Sequence, residues 1–401
     1  MAEPKKRVLV PTQLRDCSFH PAFRRTANSH TGCSRPQGQT IRNARLQDDL
    51  RYKHPHPLTP DSGARRRGVL HSLFSGLDDV QRNGLVALAE SNHVVVRAFV
   101  VIAANTSTSP ELSDWVNRIV GGEKFRIRNA LTHLRHVCNE LEANGCAVAV
   151  MKSLDHWPDL GSDLDLYTTA DEGQVKRVML GHLGAHVEPR SWGDRLPNKW
   201  SFSVPGLPES VEVHAQRLGQ TGEHTVLARR FVTRRTATTV DGLTFLVPAA
   251  EERLIIATLQ RMYRHFYFRV CDIVNTMQLL EAGELNFDEL KRAADLSGIW
   301  PGVATYLKIV CGYARKYRGA APELPRDVLA AARFGGEVIM VRDKFLRVPV
   351  MPNGADLYTR QVASTARRGD LPATLRLSLL PYLASAAAVA YRVTGTDKGI
   401  R

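Results

Sequence analysis

Cysteine is scarce in this chain, at 6 of 401 residues. Cys17, Cys33, Cys138, Cys146, Cys271 and Cys311 include no C-x-x-C pair and no Cys/His cluster at zinc spacing. A disulfide scaffold is excluded, and reduced, buried thiols in a cytoplasmic protein are expected. Long hydrophobic runs are also missing. The richest stretch, Leu377 to Val393, contains Pro381 and is flanked by Arg376 and Arg392. A membrane span needs about 20 apolar residues, so a buried helix is expected there, and no membrane partner. The first residues lack the apolar core of a secretory signal, and Glu3 and Asp16 come too early for a transit peptide.

Acidic residues are in deficit, with 40 Asp+Glu against 54 Lys+Arg and a net charge of +14. Such a surplus of base points to a polyanionic partner. The charge is uneven. Residues 1–70 hold 14 basic and 5 acidic residues and 7 of the 21 prolines. They include Lys5, Lys6, Arg7, the pair Arg24–Arg25 and the run Arg65–Arg66–Arg67, with no sustained helical or strand period. Too few apolar side chains are present to offset ordering entropy, so a basic, disordered arm outside the fold is expected. Contact with nucleic acid is the sharper reading of the same arm. Over the whole chain, 43% hydrophobic and 23% charged residues exclude full-length disorder, collagen and coiled coil.

Residues 71–140 read as helical. Leu70, Leu73, Leu77, Val80, Leu85 and Leu88 recur at helical spacing, Thr106 to Pro110 reads as a loop, and helices are expected over Glu111–Val120 and Phe125–Glu142. Asn144-Gly145 is a helix stop. Short strands are then expected at Cys146–Met151, Leu164–Tyr167, Trp200–Val204, Ser210–His214 and Leu243–Val247, with a helix over Gln174–Leu183. From Ala249 to Leu280 the period is helical again, and the remainder reads mostly as helix. The expected fold class is α+β: a small mixed-sheet core over residues 141–248, between a helical region at 71–140 and a C-terminal helical domain at 249–401.

Chemistry gathers in the sheet. Asp163 and Asp165 are two apart on one strand, so both carboxylates face one way while Leu164 and Leu166 face the core. Adjacent acids repel each other unless a cation joins them, and oxygen ligands at this spacing suit Mg²⁺. Glu212, between Val211 and Val213, supplies a third carboxylate from another strand. Lys152 and Ser153 end an apolar strand at a turn whose backbone amides would hold phosphate. Asp155 and Asp159 read as turn or capping residues.

Together these residues resemble the polymerase-beta-like nucleotidyltransferase superfamily. The matching features are Val150-Met151-Lys152-Ser153, a spacer of nine residues, Asp163-Leu164-Asp165-Leu166, and later Glu212-Val213-His214. Within that superfamily the chain is similar to an uncharacterised bacterial nucleotidyltransferase family with Lys-Gly, Asp-x-Asp and Glu-x-His motifs. The hydrophobic step to Pro248, followed by a helix, also fits, and the likeness covers roughly residues 75–285. Ser153 departs from that family's glycine, and Lys152 from the superfamily's.

The resemblance implies a nucleotidyltransferase core and transfer of a nucleoside monophosphate from an NTP such as ATP to a protein, RNA or small-molecule hydroxyl. It implies Mg²⁺, or Mn²⁺, held by Asp163, Asp165 and Glu212. Nucleotide contacts would come from Lys152, Ser153, Gly161, Ser162, Arg264 and Arg269. On the helix expected there, Arg261, Arg264, His265, Arg269 and Asp272 share one face, and Arg269 with Asp272 reads as an ion pair. His214 is expected to point opposite to Glu212, toward the core, as a satisfied histidine. The loop with Arg190, Trp192, Arg195, Lys199 and Trp200 reads as surface, with base stacking as the alternative. Two other functional readings stay open: a nucleotide- or RNA-binding protein of the same fold without activity, and a helical interaction protein.

Overall fold

Five short segments, one a continuous apolar run and others alternating, build one mixed sheet. Its strands are β1 (Val148–Met151), β2 (Asp163–Thr168), β3 (His186–Val187), β4 (Lys199–Ser203) and β5 (Ser210–Ala215), in the order β1-β2-β5-β4-β3. β2 and β5 are parallel and every other pair is antiparallel. The computed structural model describes residues 74, 76–105, 110–342 and 344–394. The expected basic arm over residues 1–70, Cys17, Cys33, Leu70, Leu73 and the loop at 106–109 lie outside the described residues. The fold is α+β, with helices on both faces of the sheet.

The period of two sorts the two faces. Val148, Val150, Leu164, Leu166, Val211 and Val213 pack on the long helix Pro110–Ala143 through its Leu131, Leu134 and Leu141. The opposite face carries Met151 and Tyr167 into a second core with Phe231 and the C-terminal helices, among them Ala250–Thr258 and Trp300–Arg318. Asp165 and Glu212 sit on this second face. Cys138, Cys146, Cys271 and Cys311 are buried free thiols.

Several expectations are corrected. Two helices were expected on either side of Gly121-Gly122, but Pro110–Ala143 is one helix running through both glycines. Glycine in a helix costs about 1 kcal/mol relative to alanine. Burial of Leu112 and Val116 on one side and Ile127 to Leu141 on the other outweighs that cost, at roughly 1.5–3 kcal/mol per large side chain.

The expected helix over Ala249–Leu280 is broken. It becomes Ala250–Thr258, a wide π turn at Leu259–Arg264, a two-residue strand β8 (Tyr267–Phe268) and a helix Val270–Glu281. The break falls at Phe266, whose φ is +54°. A distant hairpin of β9 (Met340–Arg342) and β10 (Phe345–Arg347) adds β8 as a third strand, and Val348 N donates to Phe266 O at 2.8 Å. That pairing is non-local, so it overrides the local helical period. The same hairpin interrupts a stretch expected to be helical.

The expected strand at Leu243–Val247 is β7 (Leu243–Pro248), in a hairpin with β6 (Arg235–Val240). Asp241 and Gly242 both have positive φ, as a tight two-residue turn requires. The helix Leu371–Thr394 is not buried as expected: Leu377 is 1% exposed, but Leu375 is 67% and Leu379 55% exposed. Among the described residues no helix is long and apolar enough to cross a membrane.

Candidate metal centre

Asp165 and Glu212 are register partners across β2 and β5, and Tyr167 faces His214 two positions on. Ligand atoms of Asp165, Glu212 and His214 all lie within 4.8 Å of one another. Asp165 and His214 are buried and Glu212 is half-buried.

This set differs from the expected one at two positions. His214 does not point away from Glu212. Residues two apart on a strand share a face, so His214 stands beside Glu212; that signal was present in the sequence. Asp163 is not among the clustered ligand atoms. It shares the face of Asp165 but begins β2, about 6.6 Å back along the strand at ordinary rise. Its carboxylate accepts from Ser162 Oγ at 3.2 Å. Burial, and the charges of Glu212 and Asp165, push the Asp163 carboxyl above its ordinary value.

Two lysines enter the cluster. Lys152 Nζ lies 2.6 Å from Asp165 Oδ1, and His214 Nε2 lies 3.5 Å from the same oxygen. Neither contact has hydrogen-bond geometry: Asp165 Oδ1 and both His214 ring nitrogens are buried without a hydrogen-bond partner. Burial alone would raise the Asp165 carboxyl. The Lys152 charge and His214 outweigh it and hold the group below the usual carboxylate range. Burial, helped by the charges of Lys152 and Lys199, lowers His214 against the raising effect of Asp165. Lys199 Nζ lies 2.9 Å from Glu212 Oε1 and 3.0 Å from Asp194 Oδ1. Burial would lower that ammonium, but the two carboxylates raise it.

The two carboxylates and the His214 nitrogens, which lack a hydrogen-bond partner, are ligand types that fit a divalent cation, although Lys152 already stands on the Asp165 oxygen. Two carboxylates with one imidazole suit Mn²⁺ better than Mg²⁺, which prefers oxygen throughout.

The expected nucleotide contacts divide. Ser153 is 2% exposed; its hydroxyl accepts from Asp165 N at 2.9 Å and donates to Asp163 O at 3.3 Å. It pins β2 to the turn and is not a free ligand. Gly161 is buried against the His93 ring, which a Cβ would meet at 3.3 Å. Ser162 is exposed. Lys152, His214 and Arg264 line an open, mostly apolar pocket with Leu218, Ile256, Leu377 and Glu223. Arg269 is absent from its lining and stands over the Tyr267 ring at 5.8 Å.

The expected basic helix face is overturned, because the chain breaks between Arg264 and Arg269. Arg261, not Arg269, makes the side-chain ion pair with Asp272, at 2.8 Å and fully buried. Arg269 donates only its backbone N–H to Asp272 Oδ2, at 2.6 Å.

Asp155 pairs with Arg253 at 2.6 Å. Asp159 accepts from Val96 N at 2.6 Å and Arg97 N at 3.2 Å, capping the helix Val95–Asn105. Asp159 is a cap residue as expected, though of a helix distant in the chain, whereas Asp155 serves an ion pair instead of a turn or cap. The Trp200 ring is covered by Lys176 Nζ at 3.4 Å and Arg190 Cζ at 3.6 Å, so it is already stacked by cations of its own chain.

No family model and no curated protein matches the chain. Among solved structures it is similar to an antigenic nucleotidyltransferase-like protein from Paracoccidioides brasiliensis. The identity is 19%, over 44% of this chain and 91% of that chain, with a TM-score of 0.28. At that score the likeness assigns no activity to this chain.

Proposed function

We propose that the protein is a divalent-metal-dependent nucleotidyltransferase that moves a nucleoside monophosphate from an NTP to a hydroxyl acceptor and releases pyrophosphate. The observation that carries the reading is the convergence of Asp165, Glu212 and His214 beside a mostly apolar pocket that Lys152 and Arg264 border. Asp165, Glu212 and His214 would hold the metal. A bound divalent cation would supply Lewis-acid polarisation of the phosphoryl oxygens and a lowered pKa at the acceptor hydroxyl.

The remaining chemistry belongs to the chain. Lys152 and Arg264 pair with polyphosphate oxygens, and the apolar walls by Leu218 and Ile256 receive the nucleoside end. The acceptor oxygen forms a bond to the α-phosphorus as the bond to pyrophosphate breaks. Asp163, with its raised carboxyl and its half-exposed place at the start of β2, takes the acceptor proton.

A second reading, a nucleotide- or RNA-binding protein without transfer activity, is favoured by one observation: lysines already engage both Asp165 and Glu212. One experiment separates the two. The protein is incubated with Mg²⁺ or Mn²⁺ and each labelled NTP, alone and with total RNA, beside the Asp163→Ala/Asp165→Ala double variant. Label transfer that is lost in the variant supports the enzyme. Metal-dependent NTP binding without transfer supports the second reading. Absence of both metal and nucleotide binding sinks both.

A further inference from the structure

We propose that Lys152 and a divalent cation compete for Asp165, so that Lys152 gates the metal centre. The inference rests on the metal reading of Asp165, Glu212 and His214. Lys152 Nζ, at 2.6 Å from Asp165 Oδ1, stands where a cation coordinated by that oxygen would stand. An ammonium and a divalent ion cannot share one carboxylate oxygen at that range without strong repulsion, because little water screens them.

The backbone places the lysine there. β1 ends at Met151, the register partner of Asp165, and the next residue turns the chain back. Lys152 makes that turn at φ +56°, ψ −49°, a positive-φ conformation close to a γ-turn, which a residue with a Cβ adopts at greater cost than glycine. The strain is retained at a position whose side chain ends on Asp165.

The two lysines of the site are not equivalent. Lys199 is anchored twice, on Glu212 at 2.9 Å and on Asp194 at 3.0 Å. Lys152 has Asp165 as its one carboxylate partner within ion-pair distance among the described residues. It also lines the pocket that holds Arg264. When a cation takes Asp165, the Lys152 ammonium therefore moves into that pocket, toward a bound anion. Metal and polyphosphate then favour the same lysine position, which makes their binding mutually reinforcing.

The test is Mn²⁺ titration followed by electron paramagnetic resonance, without nucleotide. Wild type is compared with Lys152→Met, Lys152→Gly, Lys152→Arg and Asp165→Asn, with a thermal melt for each. Lys152→Met and Lys152→Gly are expected to bind Mn²⁺ at least about tenfold more tightly, since a like charge has been removed. Lys152→Gly also relieves the turn, so it serves if the methionine variant folds poorly. Lys152→Arg should stay near wild type and Asp165→Asn should lose the site. If wild type binds Mn²⁺ through Asp165 and neither uncharged variant binds it more tightly, the gate is wrong and the metal reading survives. If no form binds Mn²⁺, the metal reading and the gate fall together.

Discussion

Asp165 on β2 faces Glu212 on the parallel neighbour β5 as a direct register partner. Side chains at facing positions on neighbouring strands are close enough to act on one ligand. His214, two residues beyond Glu212, joins them on the same face, whereas Asp163 lies one full pleat before Asp165.

The two aspartates therefore separate by experiment. Asp165→Asn is expected to abolish Mn²⁺ binding and reduce nucleotidyl transfer to background. Asp163→Asn is expected to keep Mn²⁺ binding and lower the transfer rate by about 10²–10⁴-fold, the usual contribution of a general base. Equal loss of Mn²⁺ affinity in both variants would return Asp163 to the ligand set.

Arg261 is a structural residue in this geometry. Its side chain is 3% exposed and that of Asp272 is 6% exposed, in an ion pair of 2.8 Å. Arg261→Met leaves the buried Asp272 without its ion-pair partner, which costs about 3–5 kcal/mol in the urea melt. The double variant Arg261→Met/Asp272→Leu should recover part of the loss. A single variant with unchanged stability but impaired nucleotide binding would instead place Arg261 at the substrate.

Gly121 and Gly122 lie inside a continuous helix, and a Cβ at either position would meet nothing within 4 Å. Gly121→Ala and Gly122→Ala should each stabilise the fold by about 0.5–1 kcal/mol, read as a higher melting temperature. A lower one would show that the helix must bend there.

Stability should fall in mild acid. Burial, then the charges of Arg269 and Arg261, lower His93 from 6.5 to about 3. Burial also holds His156, His224 and His265 below 6.5. All four are neutral when folded, while the unfolded chain takes up their protons near 6.5. Their contribution is thus present above pH 6.5 and lost as pH falls from there toward 3. The urea midpoint at pH 5 should lie below that at pH 7.5, and His156→Gln should flatten the difference. An unchanged wild-type midpoint would contradict this.

Asp163-Leu-Asp165-Leu and Val-Glu212-Val alternate along single strands, so local period alone determined their faces and the identity of the sheet's buried valines and leucines. The same rule placed His214 beside Glu212, although its residue type invited a core reading. Asp155 and Asp159 read as turn or cap residues, but each serves a partner far along the chain: Arg253 for Asp155, and the Val96 and Arg97 amides for Asp159. Other features depended on partners far along the chain. The β8–β10 pairing broke a helix that local period favoured and sent Arg261 to Asp272 instead of to a shared basic face. Burial on two separate cores carried one helix through Gly121-Gly122. The Lys152–Asp165 contact arose from an antiparallel register between β1 and β2. The sequence by itself determined which acids share a face, because strand period is a property of neighbours along the chain. Only the tertiary structure decided which acid meets which cation, because that depends on register between strands and on burial that no local pattern contains.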